Sequence, residues 1–409
     1  MIRADRFVLA LALAAVALTV AYGIYLSPDW DPSRNDQVQY LALARGLVER
    51  GEYTRATLAE PFIPEPLRFP GYPLFLAPLC VVGCSQWAIT IAQSLLLGAL
   101  VLMVARLAAP LVGTRGARIA AGLVGLYPGF AFFGAHVLSD VLGAVLSVAT
   151  VLVTISLAPR ALAGVAPGAL AAATTLTRPF LVFTLPLALL LVASRRGARA
   201  VASAVAVAAL VFLIGVSPYV AYVERGFGRP VAGSTGAQLW LGYFQGMSGA
   251  LDGFEADQAE AGKQALSTFD AITDRVAQAK AFLALDDQLR SRAVALIAHD
   301  PLGFMGRGVT RSIVLWAGDV PLRSELVNAA STGIWVVINL VLLGVGIAGA
   351  VRLRSRGDGT FAIPLFIVVA TWVLSYPLWA EGRFSLPAKP FLFIGVAAFV
   401  EDLLRGRRV

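Results

Sequence analysis

Runs of about twenty almost uninterrupted apolar residues recur along this chain, and no other feature limits its fold so sharply. A helix of that length crosses a hydrocarbon layer about 30 Å thick. Strands of a membrane barrel alternate with period two, whereas these runs are continuously apolar, so the chain reads as an all-α polytopic membrane protein. Composition agrees. Of 409 residues, 58% are hydrophobic and 14% are charged, with a mean hydropathy of +0.76, and a soluble domain carries about 25% charged residues.

The formal net charge of +8 does not point to nucleic acid, because the basic residues form short clusters between apolar segments rather than one polar face. They act as topology signals. Placing the Lys/Arg-rich connections inside gives about ten transmembrane helices, near 7–26, 86–108, 118–134, 137–158, 161–177, 179–194, 200–222, 326–350, 361–379 and 387–401. Arg3 and Arg6, Arg115 and Arg118, Arg160, Arg195 with Arg196 and Arg199, Arg352 with Arg354 and Arg356, and Arg405 with Arg407 and Arg408 then share the cytoplasmic side. Both termini are expected there, in the plasma (inner) membrane. The start MIRADR resembles a signal peptide, but the apolar run is long and lacks a small-x-small cleavage site, so an uncleaved first helix is expected.

Three regions follow: residues 1–222, a membrane module with a first outer loop at 27–85; residues 223–325, an outer region, mostly helical; and residues 326–409, the C-terminal membrane helices. In the first loop Asp31-Pro32 can start a helix and Gly51 can end it. Val38, Leu41, Leu47 and Val48 fall on one face, as in a helix lying on the membrane surface. The stretch GYPLFLAPL, interrupted by Pro73 and Pro78, reads as a second interfacial element. Residues 255–298 carry a helical pattern, and 302–317 fits either a re-entrant or an amphipathic helix. Cys80 and Cys84 are the only cysteines; their spacing is awkward for a disulfide within a helix, and they read as small packing residues. With two histidines, His136 and His299, there is little material for a metal site.

The candidate chemistry lies on the outer face. Asp36, at the start of the interfacial helix, is either a base at the bilayer surface or a first-turn acid that complements the helix dipole. Asp140 is expected about one turn inside the fourth membrane helix, with His136 one turn earlier on the same face. Arg178 can hold phosphate with its planar fork or snorkel to headgroups. Arg68, the pair Glu381 and Arg383, and Lys389 also fall outside. A carboxylate base opposed by several cations suits transfer from a lipid phosphate. No P-loop, dinucleotide fingerprint or H-E-x-x-H motif is present.

At these residues the sequence resembles the glycosyltransferase C superfamily, in the bacterial branch similar to protein O-mannosyltransferases and the lipid A aminoarabinose transferase. The matching segments are NDQVQYLALARGLVERGEY with Asp36 and Tyr40, RFPGYPLFLAPL with Arg68 and Tyr72, YPGFAFFGAHVLSD with His136 and Asp140, TRPF with Arg178, LWLGYFQGMSG, and EGRFSLPAKPFLFIGVAAF with Glu381 and Arg383. The resemblance implies a polyprenyl-phosphate-linked sugar donor, a lipid, glycan or protein acceptor, and inversion at the anomeric carbon. Asp36 is then the base or the acceptor-positioning carboxylate, Asp140 supports it, and Arg68, Arg178 and Arg383 are candidates for the donor phosphate; Tyr40, Tyr72, His136 and Glu381 complete the substrate-binding set. Arg68 departs from the lysine common in relatives, and the late outer loop is short. No cofactor is expected, and the sparse acids around Asp36 favour a reaction without metal. A polysaccharide polymerase or ligase of another fold would lean on an arginine-rich outer loop, and a transporter of lipid-linked sugars on ionisable groups at mid-membrane.

Overall fold

Polar caps between apolar runs divide the chain into sixteen α-helices among the described residues. The computed structural model describes residues 5–27, 35–157, 160–230, 232–249, 254–264, 274–318, 320–322, 326–357 and 359–406. The chain is about 81% helical, and no strand occurs among the described residues. This is an all-α membrane protein. Among the described residues four helices are long and apolar enough to cross a bilayer: α1 (Arg6–Leu26), α4 (Gln86–Leu126), α9 (Ala198–Phe227) and α14 (Ala329–Arg354). Shorter apolar helices include α3 (Gly71–Val81), α6 (Asp140–Ile155) and α7 (Val165–Thr177).

Each apolar segment of the sequence coincides with helix, with informative differences at the ends. Helix α4 would be about 60 Å long if straight, but Gly113 inside it is non-helical, with φ 77° and ψ 175°. The two limbs fold back there. Gly98 on one limb and Gly125 on the other face the same stretch of α1, so that a Cβ on Gly98 would lie 3.0 Å from Val16 and one on Gly125 would lie 3.2 Å from the Leu11 carbonyl. The expected helix 118–134 ends at Leu126, because Pro128 starts a separate short helix, α5 (Pro128–Gly134). Helix α6 begins at Asp140 rather than at 137, so Asp140 occupies the first position of the helix instead of sitting one turn inside.

Helix α2 (Asn35–Glu49) forms as expected; its cap at Asp31-Pro32, and Asp29, lie outside the described residues. Its buried face is Tyr40, Leu41, Leu43 and Ala44, whereas Val38 and Val48 stay exposed. Tyr40, Leu41 and Ala44 pack against Tyr72 and Leu76 of α3, and these larger contacts fix the helix roll. Cys80 and Cys84 form a disulfide, contrary to the packing role expected of them. The helix has already ended at Val81, and positive φ at Gly83 (105°) and Cys84 (53°) turns the chain back towards Cys80. The ambiguous segment 302–317 is one helix, α13 (Pro301–Ala317), started by Asp300 and Pro301. It buries Phe304, Gly308, Arg311 and Leu315 and exposes Leu302, Met305 and Val309.

The region expected outside the membrane contains α10 (Thr235–Phe244), α11 (Phe254–Gln264), α12 (Arg275–His299) and α13. Buried Asp286 accepts from the Gly236 and Ala237 backbone amides at 3.0 and 2.8 Å, at the start of α10. Buried Asp257 does the same for Gly246 and Ser248 at 2.7 and 2.9 Å. Arg311, 1% exposed, donates to three backbone carbonyls, those of Tyr376, Gly242 and Phe304, at 2.9, 2.7 and 2.9 Å. Helices α10 and α13 are thereby tied to the loop that follows α15 (Ile363–Ser375) and leads into α16 (Lys389–Leu404). At the far end of α16, Glu401 and Asp402 meet cations from other turns: Arg405 at 3.2 Å, Arg115 at 3.9 Å, and Arg356. Arg115, Arg356 and Arg405, three of the arginines grouped by charge counting, thus meet at one end of α16.

Candidate active site

Two ion-pair groups form at the opposite end, where α2, α6 and the loop before α16 converge. Asp36 stands in the first turn of α2 and has both carboxylate oxygens engaged: Arg68 Nη2 donates to Oδ1, and Arg383 Nη2 donates to Oδ2 at 2.8 Å. Each arginine has a second anchor. Arg68 Nε donates to Gln39 Oε1 at 2.7 Å, and Arg383 Nε donates to Glu381 Oε2 at 2.6 Å. Arg68 also lies over the Tyr40 ring, 5.3 Å from its centroid. Burial pushes the Asp36 carboxyl up, but Arg383 and then Arg68 outweigh it and hold the group below its ordinary range.

The backbone around these side chains is fixed from several directions. Buried Glu65 accepts from the Leu67 and Arg68 amides at 2.8 and 2.9 Å, and the Tyr53 hydroxyl donates to the Arg68 carbonyl at 2.9 Å. Gln37 Oε1 accepts from the Val137 amide at 3.0 Å, which binds α2 to the turn before α6. Gln245 donates to the Ala380 carbonyl and accepts from the Ala380 amide, both at 2.8 Å, while the Trp379 amide donates to the Gln238 carbonyl at 2.9 Å. The outer region therefore positions the segment that carries Glu381 and Arg383.

The second group is Asp140 with Arg178, whose Nη2 donates to Asp140 Oδ1. Asp140 is fully buried and Arg178 is 8% exposed. Gly143, one turn along α6, leaves room for this arginine, since a Cβ there would lie 3.1 Å from Arg178 Cδ. Asp140 Oδ2 and Arg178 Nε are buried without a hydrogen-bond partner, so the pair is incompletely satisfied. Phe384 links the two groups, with Arg178 and Arg383 at 5.7 and 5.4 Å from its ring centroid.

Asp36, Arg68, Asp140, Arg178, Glu381 and Arg383 thus come together from distant parts of the chain. Tyr40 and Tyr72 line the base of the group, with ring centroids 4.9 Å apart and the Tyr40 hydroxyl 3.4 Å from Ser139 Oγ. His136 lies in the turn before α6, not on its helical face, because the chain is not yet helical there. Its Nδ1 is 2.9 Å from the Phe132 carbonyl, and burial pushes the imidazole down, so it is neutral at pH 7. Lys389 does not join the group. It is 1% exposed and turns into the bundle, donating to the Tyr127 hydroxyl and, at 3.2 Å, to Asn339. Sequence reasoning passed over Gln37, Gln39 and Gln93. Gln93, fully buried, accepts from the Tyr72 hydroxyl at 3.1 Å and donates to the Gly134 and His136 carbonyls at 3.0 and 2.6 Å. An amide inside an apolar run was the signal available for it.

No family model and no curated protein matches the sequence. Solved structures do match in fold. The oligosaccharyltransferase of Archaeoglobus fulgidus in its apo form aligns with a TM-score of 0.57 at 12% identity, over 98% of this chain and 51% of that one. The same organism's archaeal oligosaccharyltransferase AglB, in complex with an inhibitory peptide and a dolichol-phosphate, aligns with a TM-score of 0.56 at 14% identity, over 98% and 51%. The form tethered to an acceptor peptide containing the NVT sequon gives 0.55 at 14%, over 99% and 51%. The chain spans about half the length of these proteins and has their GT-C fold.

Proposed function

We propose that this protein is a membrane glycosyltransferase that moves a sugar from a polyprenyl-phosphate donor to a hydroxyl of a lipid, glycan or protein acceptor on the extracytoplasmic face. The observation that carries the reading is Asp36, a carboxylate set between Arg68 and Arg383 beside the Asp140–Arg178 pair. The dolichol-phosphate held by a protein of the same fold supports a lipid-phosphate donor.

In this reading the acceptor hydroxyl gives its proton to Asp36 as its oxygen bonds to the anomeric carbon from the face opposite the phosphate. The bond between that carbon and the phosphate oxygen breaks, and the electron pair leaves on the lipid phosphate with inversion. The guanidinium groups of Arg68, Arg383 and Arg178 stabilise the charge that develops there. Asp140 orients Arg178, and Tyr40 and Tyr72 shape the floor. Both Asp36 oxygens already face guanidinium groups, which supports a reaction without a divalent cation. The arginine-rich turns at the other end of α16 support cytoplasmic termini and an outward-facing site.

The test is reconstitution in liposomes with a panel of polyprenyl-phosphate sugars and mixed hydroxyl acceptors. Release of polyprenyl phosphate with sugar appearing on an acceptor, unchanged by a chelator, is expected. Absence of turnover with every donor, by protein shown to be folded, contradicts the reading.

A further inference from the structure

Arg68 and Arg383 must serve two anions. Both oxygens of Asp36 accept charge-assisted hydrogen bonds, from Arg68 Nη2 and Arg383 Nη2, and a carboxylate so engaged is a weak proton acceptor. In the proposed reaction the same arginines also hold the donor phosphate. We propose that substrates bind in a fixed order: the donor phosphate first draws Arg68 and Arg383 off Asp36, and only then is the carboxylate free to take a proton from the acceptor. The inference rests on the lipid-phosphate reading of the site.

The second contacts of each arginine make the transfer feasible. Gln39 and Glu381 hold the Nε atoms at 2.7 and 2.6 Å, so both guanidinium groups stay tethered while their Nη atoms change partner. Arg68 lies over Tyr40 at 5.3 Å and Arg383 over Phe384 at 5.4 Å, aromatic faces along which a guanidinium can shift and keep its contact. Gln39 and Glu381 are therefore positioning residues.

Charge count favours the same sequence. Asp36, Glu381 and Asp140 are balanced by Arg68, Arg383 and Arg178, three against three, and His136 is neutral. A phosphodiester donor adds one negative charge to this group. The added charge raises the tendency of Asp36, now without its cations, to accept a proton. When the lipid phosphate departs, the arginines return to Asp36 and the base is switched off until the next donor binds.

The order can be read from binding alone, using farnesyl methyl phosphate, a phosphodiester whose single charge does not titrate above about pH 2, and the full chain in nanodiscs. If Asp36 competes with phosphate for the arginines, Asp36→Asn removes the competitor and binds the probe at least about five-fold more tightly, since affinity is reduced by the fraction of protein not competent to bind. If the arginines instead hold phosphate while still braced by Asp36, the same variant binds equally or more weakly, and the proposal is overturned. Should Asp36→Asn fail to fold, calorimetry of the unmodified protein at pH 5 in buffers of different ionisation heat gives a second reading. Net proton uptake on binding, retained in His136→Gln, supports the hand-over; zero uptake or release overturns it. Failure of the probe to bind the unmodified protein at all would instead remove the lipid-phosphate reading on which the order depends. Tighter binding by an Asp36→Asn variant that still transfers sugar would leave that reading standing, deny Asp36 the role of base, and overturn the order.

Discussion

Gly242 in α10 lies directly against the segment that leads to Arg383. A Cβ at this position would be 2.6 Å from the Pro377 carbonyl oxygen and 2.7 Å from the Leu378 carbonyl carbon, both backbone atoms that cannot swing aside. Gly242→Ala must therefore push residues 377–379 away by roughly 0.8 Å to restore an ordinary contact near 3.4 Å. That segment is fastened to α10 by Gln238 and Gln245 and continues through Ala380 into Glu381 and Arg383, so the displacement reaches the guanidinium on Asp36. A misplacement near 1 Å in a reacting group costs up to about 100-fold in rate, and a loss of about 10- to 100-fold in kcat/KM for sugar transfer is expected. Alanine's helix propensity contributes about 1 kcal/mol in the opposite direction, so the folded population is retained. Gly262→Ala, where nothing lies within 4 Å, is the control in the same outer region and is expected to be silent. Transfer assays and farnesyl methyl phosphate binding on both variants decide the matter. A fully active Gly242→Ala protein would refute the coupling between α10 and Arg383.

Other expectations follow from the same geometry. Asp140→Asn leaves Arg178 buried without its counter-charge and is expected to cost about 3–5 kcal/mol; adding Arg178→Met should restore much of that loss in thermal melts, and strict additivity would show that the two do not act as a pair. Asp36 is held below its ordinary range by Arg383 and Arg68 against the upward push of burial. The stability it contributes is therefore present above the unfolded carboxyl value of about 3.9 and lost as pH falls through the folded one. Melting midpoints should drop less on acidification in Asp36→Asn than in the unmodified chain. Cys80→Ser with Cys84→Ser opens a loop of only a few residues, so a loss of at most about 3 kcal/mol and retained transfer are expected; complete inactivity would assign the disulfide a role in the site.

The all-helical, apolar build was legible because apolar runs act over whole segments. The turn in α4 was legible too: Arg115 and Arg118 marked it, and Gly113 makes it. Local geometry was less legible. The burial of Lys389 depends on Tyr127 and Asn339, partners from distant helices that no spacing rule connects. The Cys80–Cys84 bond depends on a positive φ at Cys84, which the residue type does not announce. The candidate site was foreseen as a set of charges on one face. Its pairing was not, because which arginine reaches which carboxylate is decided by Gln37, Gln39 and Gln245, whose amides carry no charge pattern to follow.

The account rests on Asp36 as the group that accepts the proton. Sugar transfer by Asp36→Asn, measured in liposomes against a donor that the unmodified chain uses, tests it most directly. An amide at the same position keeps the size but cannot take the proton, and a loss of about 100-fold or more in kcat is expected, with farnesyl methyl phosphate still bound. Transfer at the unmodified rate by the folded variant would contradict the account.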